Sequence, residues 1–161
     1  MRVTGHGRIG LLAGWARLGV LAGLAGCAHG GAPATAAAAA SGAFKPTGVK
    51  KVFRGPEGET ASLVFLAPIE DHRVLIRFDG TNTAWDGKVM MHVARSIPDK
   101  DDYIAQIGGG DYVTITQRFG SYEMYPPGRP NSLRLYYSDE DARKVDPAAV
   151  IADYERQGGK P

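Results

Sequence analysis

The sequence predicts a mainly β domain, an antiparallel sheet or small β-sandwich, followed by a C-terminal helix. Three observations lead there. After residue 44, short apolar or alternating segments recur, each bounded by Gly, Pro, Asn or Asp, which is the pattern of strands and turns. These segments come first and the helical pattern comes last, without the strand–helix alternation that builds a parallel sheet. The 118 residues that follow the low-complexity stretch at 28–43 are enough for one hydrophobic core and too few for two.

The elements can be taken in order. Residues 49–53 read as a first strand, stopped by Gly55-Pro56-Glu57-Gly58. Residues 60–66 place Leu63 and Phe65 on one face and Val64 and Leu66 on the other, as expected of a strand buried on both sides. Residues 72–78 alternate, with Val74, Ile76 and Phe78 inward against Arg73 and Arg77. Asp79-Gly80-Thr81-Asn82 makes a turn, and residues 88–94 form a strand with Val89, Met91 and Val93 on one face. The acidic stretch 99–102 reads as a solvated loop before a weak segment at 103–107, and Gly108-Gly109-Gly110 as a hinge or bulge. Residues 111–118 are a strong strand, with Val113 and Ile115 opposite Tyr112, Thr114, Thr116 and Arg118. Gly120-Ser121 leads into its hairpin partner at 122–125, and residues 132–137 form the last strand. Ser138 and Asp146-Pro147 are helix starts, and a helix over 148–157 offers Val150, Ile151 and Tyr154. The expected core is Val74, Ile76, Phe78, Val89, Met91, Val113, Ile115, Leu133 and Leu135.

The first 43 residues have another character. Arg2, Arg8 and Arg17 precede the apolar run 18–26, a charged n-region followed by a short h-region, which is the order of a secretory signal. The run ends in Leu24-Ala25-Gly26-Cys27 and contains the only cysteine in the chain. This box resembles the lipobox of bacterial lipoproteins. The resemblance covers residues 1–27 and implies cleavage before Cys27, with a diacylglyceryl group on its sulfur and an acyl chain on its new amine. It implies a signal peptide at 1–26, a lipidated Cys27 and Ala/Gly-rich tether at 27–43, and a single β-rich domain at 44–161. Ala28 after the cysteine implies sorting to an outer membrane, facing the periplasm. The tether at 28–43 has no large apolar side chain to dock it and as a flexible coil would reach roughly 20–25 Å.

Removing the signal leaves 16 of the 19 basic residues against 17 acids. A near-neutral chain lacks the clustered basic excess that nucleic acid requires, so no nucleic-acid partner is expected. With Cys27 lipidated, no thiol remains for a disulfide or a Cys-ligated metal.

The chemical motifs are weak. Asp79, Asn82 and Asp86 lack the alternating spacing of a calcium loop and read as turn residues. The triglycine is followed by Asp111 and a strand, unlike a phosphate loop. His72 and His92 could meet Glu70 or Glu123 only through the fold. No catalytic residue, cofactor or metal ligand is assigned. Tyrosine and arginine accumulate in the C-terminal half, and these residues anchor interfaces. Tyr112, Thr114, Thr116, Arg118, Tyr122 and Tyr125 form the candidate interaction face. The expected function is a non-catalytic interaction or accessory module, held to the membrane through Cys27 and contacting an envelope protein or polymer. The alternatives are a small-ligand or inhibitor domain, and a hydrolase whose groups converge only in space.

Overall fold

The computed structural model describes residues 44–160; Cys27, the lipobox and the tether lie outside them. The fold is mainly β and antiparallel with a C-terminal helix, as the sequence predicts. Its eight strands are β1 (Lys45–Arg54), β2 (Thr60–Ala67), β3 (Arg73–Asp79), β4 (Val89–Ile97), β5 (Lys100–Ile107), β6 (Gly110–Arg118), β7 (Ser121–Met124) and β8 (Leu133–Tyr137). Each pairs with the next, and β8 returns to β1, so the single sheet closes into an up-and-down barrel. Two helices follow, α1 (Asp139–Lys144) and α2 (Pro147–Arg156).

The barrel interior is filled. Phe53, Leu63, Ile76, Phe78, Ile115 and Met124 are fully buried in one cluster, and Trp85 enters it from the β3–β4 connection. Its ring lies 5.1 Å from Phe78 and 5.6 Å from Tyr112. A second cluster lies on the outer wall, where Val150 and Ile151 of α2 cover Val64, Leu66, Leu75 and Val89, with Phe44 beside them. Burying such a side chain is worth about 1.5–3 kcal/mol, so α2 is a structural part of the domain. This also explains why β2 and β3 carry nearly continuous apolar runs: each faces the interior on one side and α2 on the other.

The helices begin as the sequence dictates. The Ser138 hydroxyl accepts from the Asp141 N–H, the Asp146 carboxylate accepts from the Ala148 N–H at 2.9 Å, and Pro147 occupies the first turn. Polar ties fix α2 to the wall: Arg77 to Asp153 at 2.9 Å, and the Gln157 side-chain oxygen accepting from the Val89 N–H at 3.1 Å.

Three expectations are corrected. Val89 and Met91 belong to the outer cluster under α2, while Met90 and His92 of the same strand face inward. Residues 100–107 form a full strand, and Asp102 lies in its ladder opposite Arg95 and Thr116 rather than in a solvated loop. The acid is tolerated there because Lys100 reaches it at 2.6 Å and the Thr116 hydroxyl donates to it at 2.7 Å. Gly108-Gly109 is a two-residue hairpin turn, not a hinge, since Ile107 pairs with Gly110 and both glycines have positive φ.

The fourth correction concerns β6. Tyr103 pairs with Ile115 and Ile104 with Val113, so Thr114 is an extra residue in the strand. Such a bulge shifts the period-two pattern by one. Thr114 is buried; its hydroxyl donates to the Tyr103 carbonyl at 3.2 Å and its carbonyl accepts from the Tyr125 N–H at 2.9 Å. Tyr112 therefore joins Ile115 at the interior cluster, and Val113 is half-buried outside that cluster.

Candidate functional site

The bulge divides the expected interaction face. Tyr112 packs at the interior cluster and donates its hydroxyl to the Tyr125 carbonyl at 3.0 Å. Tyr122 also turns inward, its ring 4.3 Å from that of Phe53. Thr114 is enclosed in the bulge. Thr116, Arg118 and Tyr125 remain together on the outer wall, lining a depression of about 230 Å³ with Lys100, Ser121 and Glu123.

Three adjacent strands build this depression through their register. Arg118 is paired with Lys100 on β5 and Ser121 on β7, and one step inward Thr116 is paired with Asp102 and Glu123. Because side chains alternate across a sheet, these positions share the outer face. The Glu123 carboxylate accepts from the Tyr125 hydroxyl at 2.9 Å and from Ser132 at 3.2 Å. Burial, then this bond to Glu123, raises the Tyr125 pKa above its ordinary value. Arg118 is exposed and has no ion-pair partner among the described residues. The site thus offers a free guanidinium, a phenol and a pre-set carboxylate in a shallow recess. Such groups recognise polar partners through charge-assisted hydrogen bonds.

A larger groove of about 560 Å³ lies where β4 and β5 part. Their pairing stops at His92 and Ala105, and Tyr154, Gln157 and Gly158 form the other wall. His92 is almost completely buried. Its Nδ1 lies 2.9 Å from the Met90 carbonyl, which can only accept, so Nδ1 carries the proton and Nε2 is left without a partner. Burial lowers its pKa to about 4, so the ring is neutral at pH 7.

The other chemical candidates stay apart. His72 is exposed at the β2–β3 connection, His92 faces the interior, and Glu123 lies on the outer wall. Asp86 caps a turn by accepting from the Thr81 N–H at 3.2 Å, and Asp79 pairs with Arg77 at 3.0 Å. Sequence reasoning left Lys100 and Ser121 out of the face and weighed Glu123 only as a partner of the histidines. Lys100 and Glu123 were each visible as a charge within or beside a strand, but only the register places them against Arg118.

No helix among the described residues is long and apolar enough to cross a membrane. The barrel has an apolar interior and charges on its outer wall, the inverse of a membrane-spanning barrel. Comparison of the chain with protein-family models, with curated proteins and with solved structures returns no match.

Proposed function

We propose that this chain is an envelope lipoprotein, anchored through lipid on Cys27 and facing the periplasm from the outer membrane, whose barrel is a non-catalytic interaction module. The observation that carries the module reading is the filled interior: side chains occupy the space in which an open barrel would hold a ligand. The accessible chemistry therefore lies on the wall, in the recess of Lys100, Thr116, Arg118, Ser121, Glu123 and Tyr125. The anchor reading rests on the box Leu24–Cys27 and the charged and apolar regions before it. An envelope protein or polymer with polar groups is the partner that suits this recess.

The test is a photo-crosslinker placed at Ser121 in the anchored protein. Arg118→Glu combined with Tyr125→Phe should leave the melting temperature near wild type and remove the cross-linked product. Unchanged cross-links in the folded double variant would refute the recess as the contact surface. Separately, Cys27→Ser should release the domain from membranes or block its processing. A second reading, a small-ligand domain, is favoured by the groove beside β4 and the unpartnered Nε2 of His92.

A further inference from the structure

The up-and-down order places the β2–β3, β4–β5 and β6–β7 connections at one end of the barrel, together with the start of β1. Each of these three connections carries one exposed apolar side chain at or beside its turn. Ile69 is 58% exposed, Ile97 53% and Phe119 80%. Among the four connections at the opposite end, one has such a neighbour: Ile107, 38% exposed beside the Gly108-Gly109 turn. Phe119 is the most telling of the three. It occupies the first position of a two-residue turn with φ of 48°, a conformation that glycine adopts without strain. The equivalent position at the other end of β6 is Gly108, with φ of 62°. A bulky apolar residue is thus held at a turn tip against backbone preference, with most of its surface in water.

We infer that this rim inserts Ile69, Ile97 and Phe119 into the surface of a lipid bilayer. The inference rests on the anchor reading above. Lys45, at the start of β1, pairs with Ala67, the last residue of β2, so residues 1–43 join the barrel at this same end. A bilayer holding Cys27 is therefore connected to the barrel at the end that carries these turns. Tethering holds the rim at high effective concentration near the bilayer, so shallow insertion suffices. Lys45 and Arg118 are exposed at this end, and such side chains can lay their stems on the apolar region while their charges reach head groups. Glu70, Asp71 and Asp99 share the same end, so the driving force is burial of the apolar tips rather than attraction to anionic lipid. The three tips lie on alternate hairpins of one barrel end. Their insertion would stand the barrel upright on the membrane, with the recess of Arg118 and Glu123 just above the head groups.

The test uses the full chain with Cys27 coupled chemically to a maleimide phospholipid in phosphatidylethanolamine/phosphatidylglycerol vesicles. Hydroxyl-radical footprinting then compares it with chain capped at Cys27 and free in solution. Oxidation of Ile69, Ile97 and Phe119 should slow at least fivefold on vesicles, while Ile107 at the opposite end stays unchanged. In the double variant Ile97→Ser, Phe119→Ser, which should melt like wild type, Ile69 should return to its free rate. Equal oxidation of the three tips on and off vesicles would overturn the inference, as would protection of Ile69 that survives the double substitution. Chemical coupling bypasses cellular processing. If cells do not lipidate Cys27, the anchor reading fails while this result stands.

Discussion

Strand β6 ends in a two-residue turn on either side, and the two turns are built from different residues for the same geometry. Gly108-Gly109 and Phe119-Gly120 both hold positive φ at both positions, as the mirror-image type I turn demands. In the first, the requirement is met by residues without a Cβ. In the second, a phenylalanine accepts a conformation that costs an ordinary residue about 1–2 kcal/mol. The surroundings differ in the same sense. At the Gly108 end, long connections fold over the barrel mouth. Trp85 plugs it, and Glu59, fully buried, accepts from the Glu57 N–H at 3.0 Å and lies 3.3 Å from Arg129. Gly55 is needed there because a Cβ would come within 2.5 Å of the Glu59 carboxylate. At the Phe119 end, short turns hold apolar side chains out. One end is built for stability and the other tolerates strain, so substitutions at the two ends should differ in sign as well as size.

The largest effect belongs to the plugged end. Trp85→Ala should cost about 3–5 kcal/mol, read as a lower denaturation midpoint in urea with unchanged slope. A loss below 1 kcal/mol would mean that the plug is dispensable and the contrast between the ends is superficial.

His92, on the inner wall, gives the next. Its pKa falls from 6.5 to about 4 on folding because the ring is buried. The unfolded chain therefore binds a proton between those values that the folded chain refuses. Stability should decline as pH drops from 6.5 to about 4, by roughly 3 kcal/mol, and His92 should add no further decline below that. Urea titrations at pH 7 and 4.5 measure it, and His92→Gln should flatten the difference. A wild-type protein equally stable at both values would show that the ring is solvated in solution.

The smallest effect sharpens the comparison most. Phe119→Gly should raise stability by up to about 1 kcal/mol, because it relieves a positive φ and uncovers nothing buried. Gly108→Phe should lower it by about 1–2 kcal/mol through the converse change. Differential scanning calorimetry of the two variants resolves the signs. Loss of stability in Phe119→Gly would mean that the ring has contacts that stabilise the fold.

The same contrast shows what could be read from the chain. β2 was legible because Leu63, Val64 and Leu66 encode burial on both faces, and β3 because Val74, Ile76 and Phe78 alternate with Arg73 and Arg77; the burial of Leu75 under α2 was not. The starts of both helices were legible because Ser138 and Asp146-Pro147 act locally. The inward turn of Tyr112 was not. It depends on one unpaired residue, Thr114, whose hydroxyl bonds to a carbonyl eleven positions away, and a bulge leaves no compositional mark. Alternation separates Val89 and Met91 from Met90 and His92 but does not say which face meets α2. Of the candidate face, Thr116, Arg118 and Tyr125 share the outer wall. Tyr122 faces inward because its register with Leu135 and Gln117 brings it over Phe53.

One feature of the closure bears on how copies of this chain coexist. β8 meets β1 only at Phe53 and Arg54, so residues 45–51 run with one backbone side outside that ladder. Unpaired edges of this kind recruit strands from neighbouring molecules, and natural sheets guard them with lysine, proline, irregular register and covering segments. All four guards are here. Lys45, Lys50 and Lys51 bring charge, Pro46 removes a donor, and the register shifts between Pro46 and Lys50. The Lys50 ammonium holds the end of α1 over the strand by donating to the Val145 carbonyl at 2.7 Å and the Arg143 carbonyl at 3.2 Å. A barrel closed by two residue pairs would otherwise be an adhesive one; this edge is written to keep crowded molecules from joining into a common sheet.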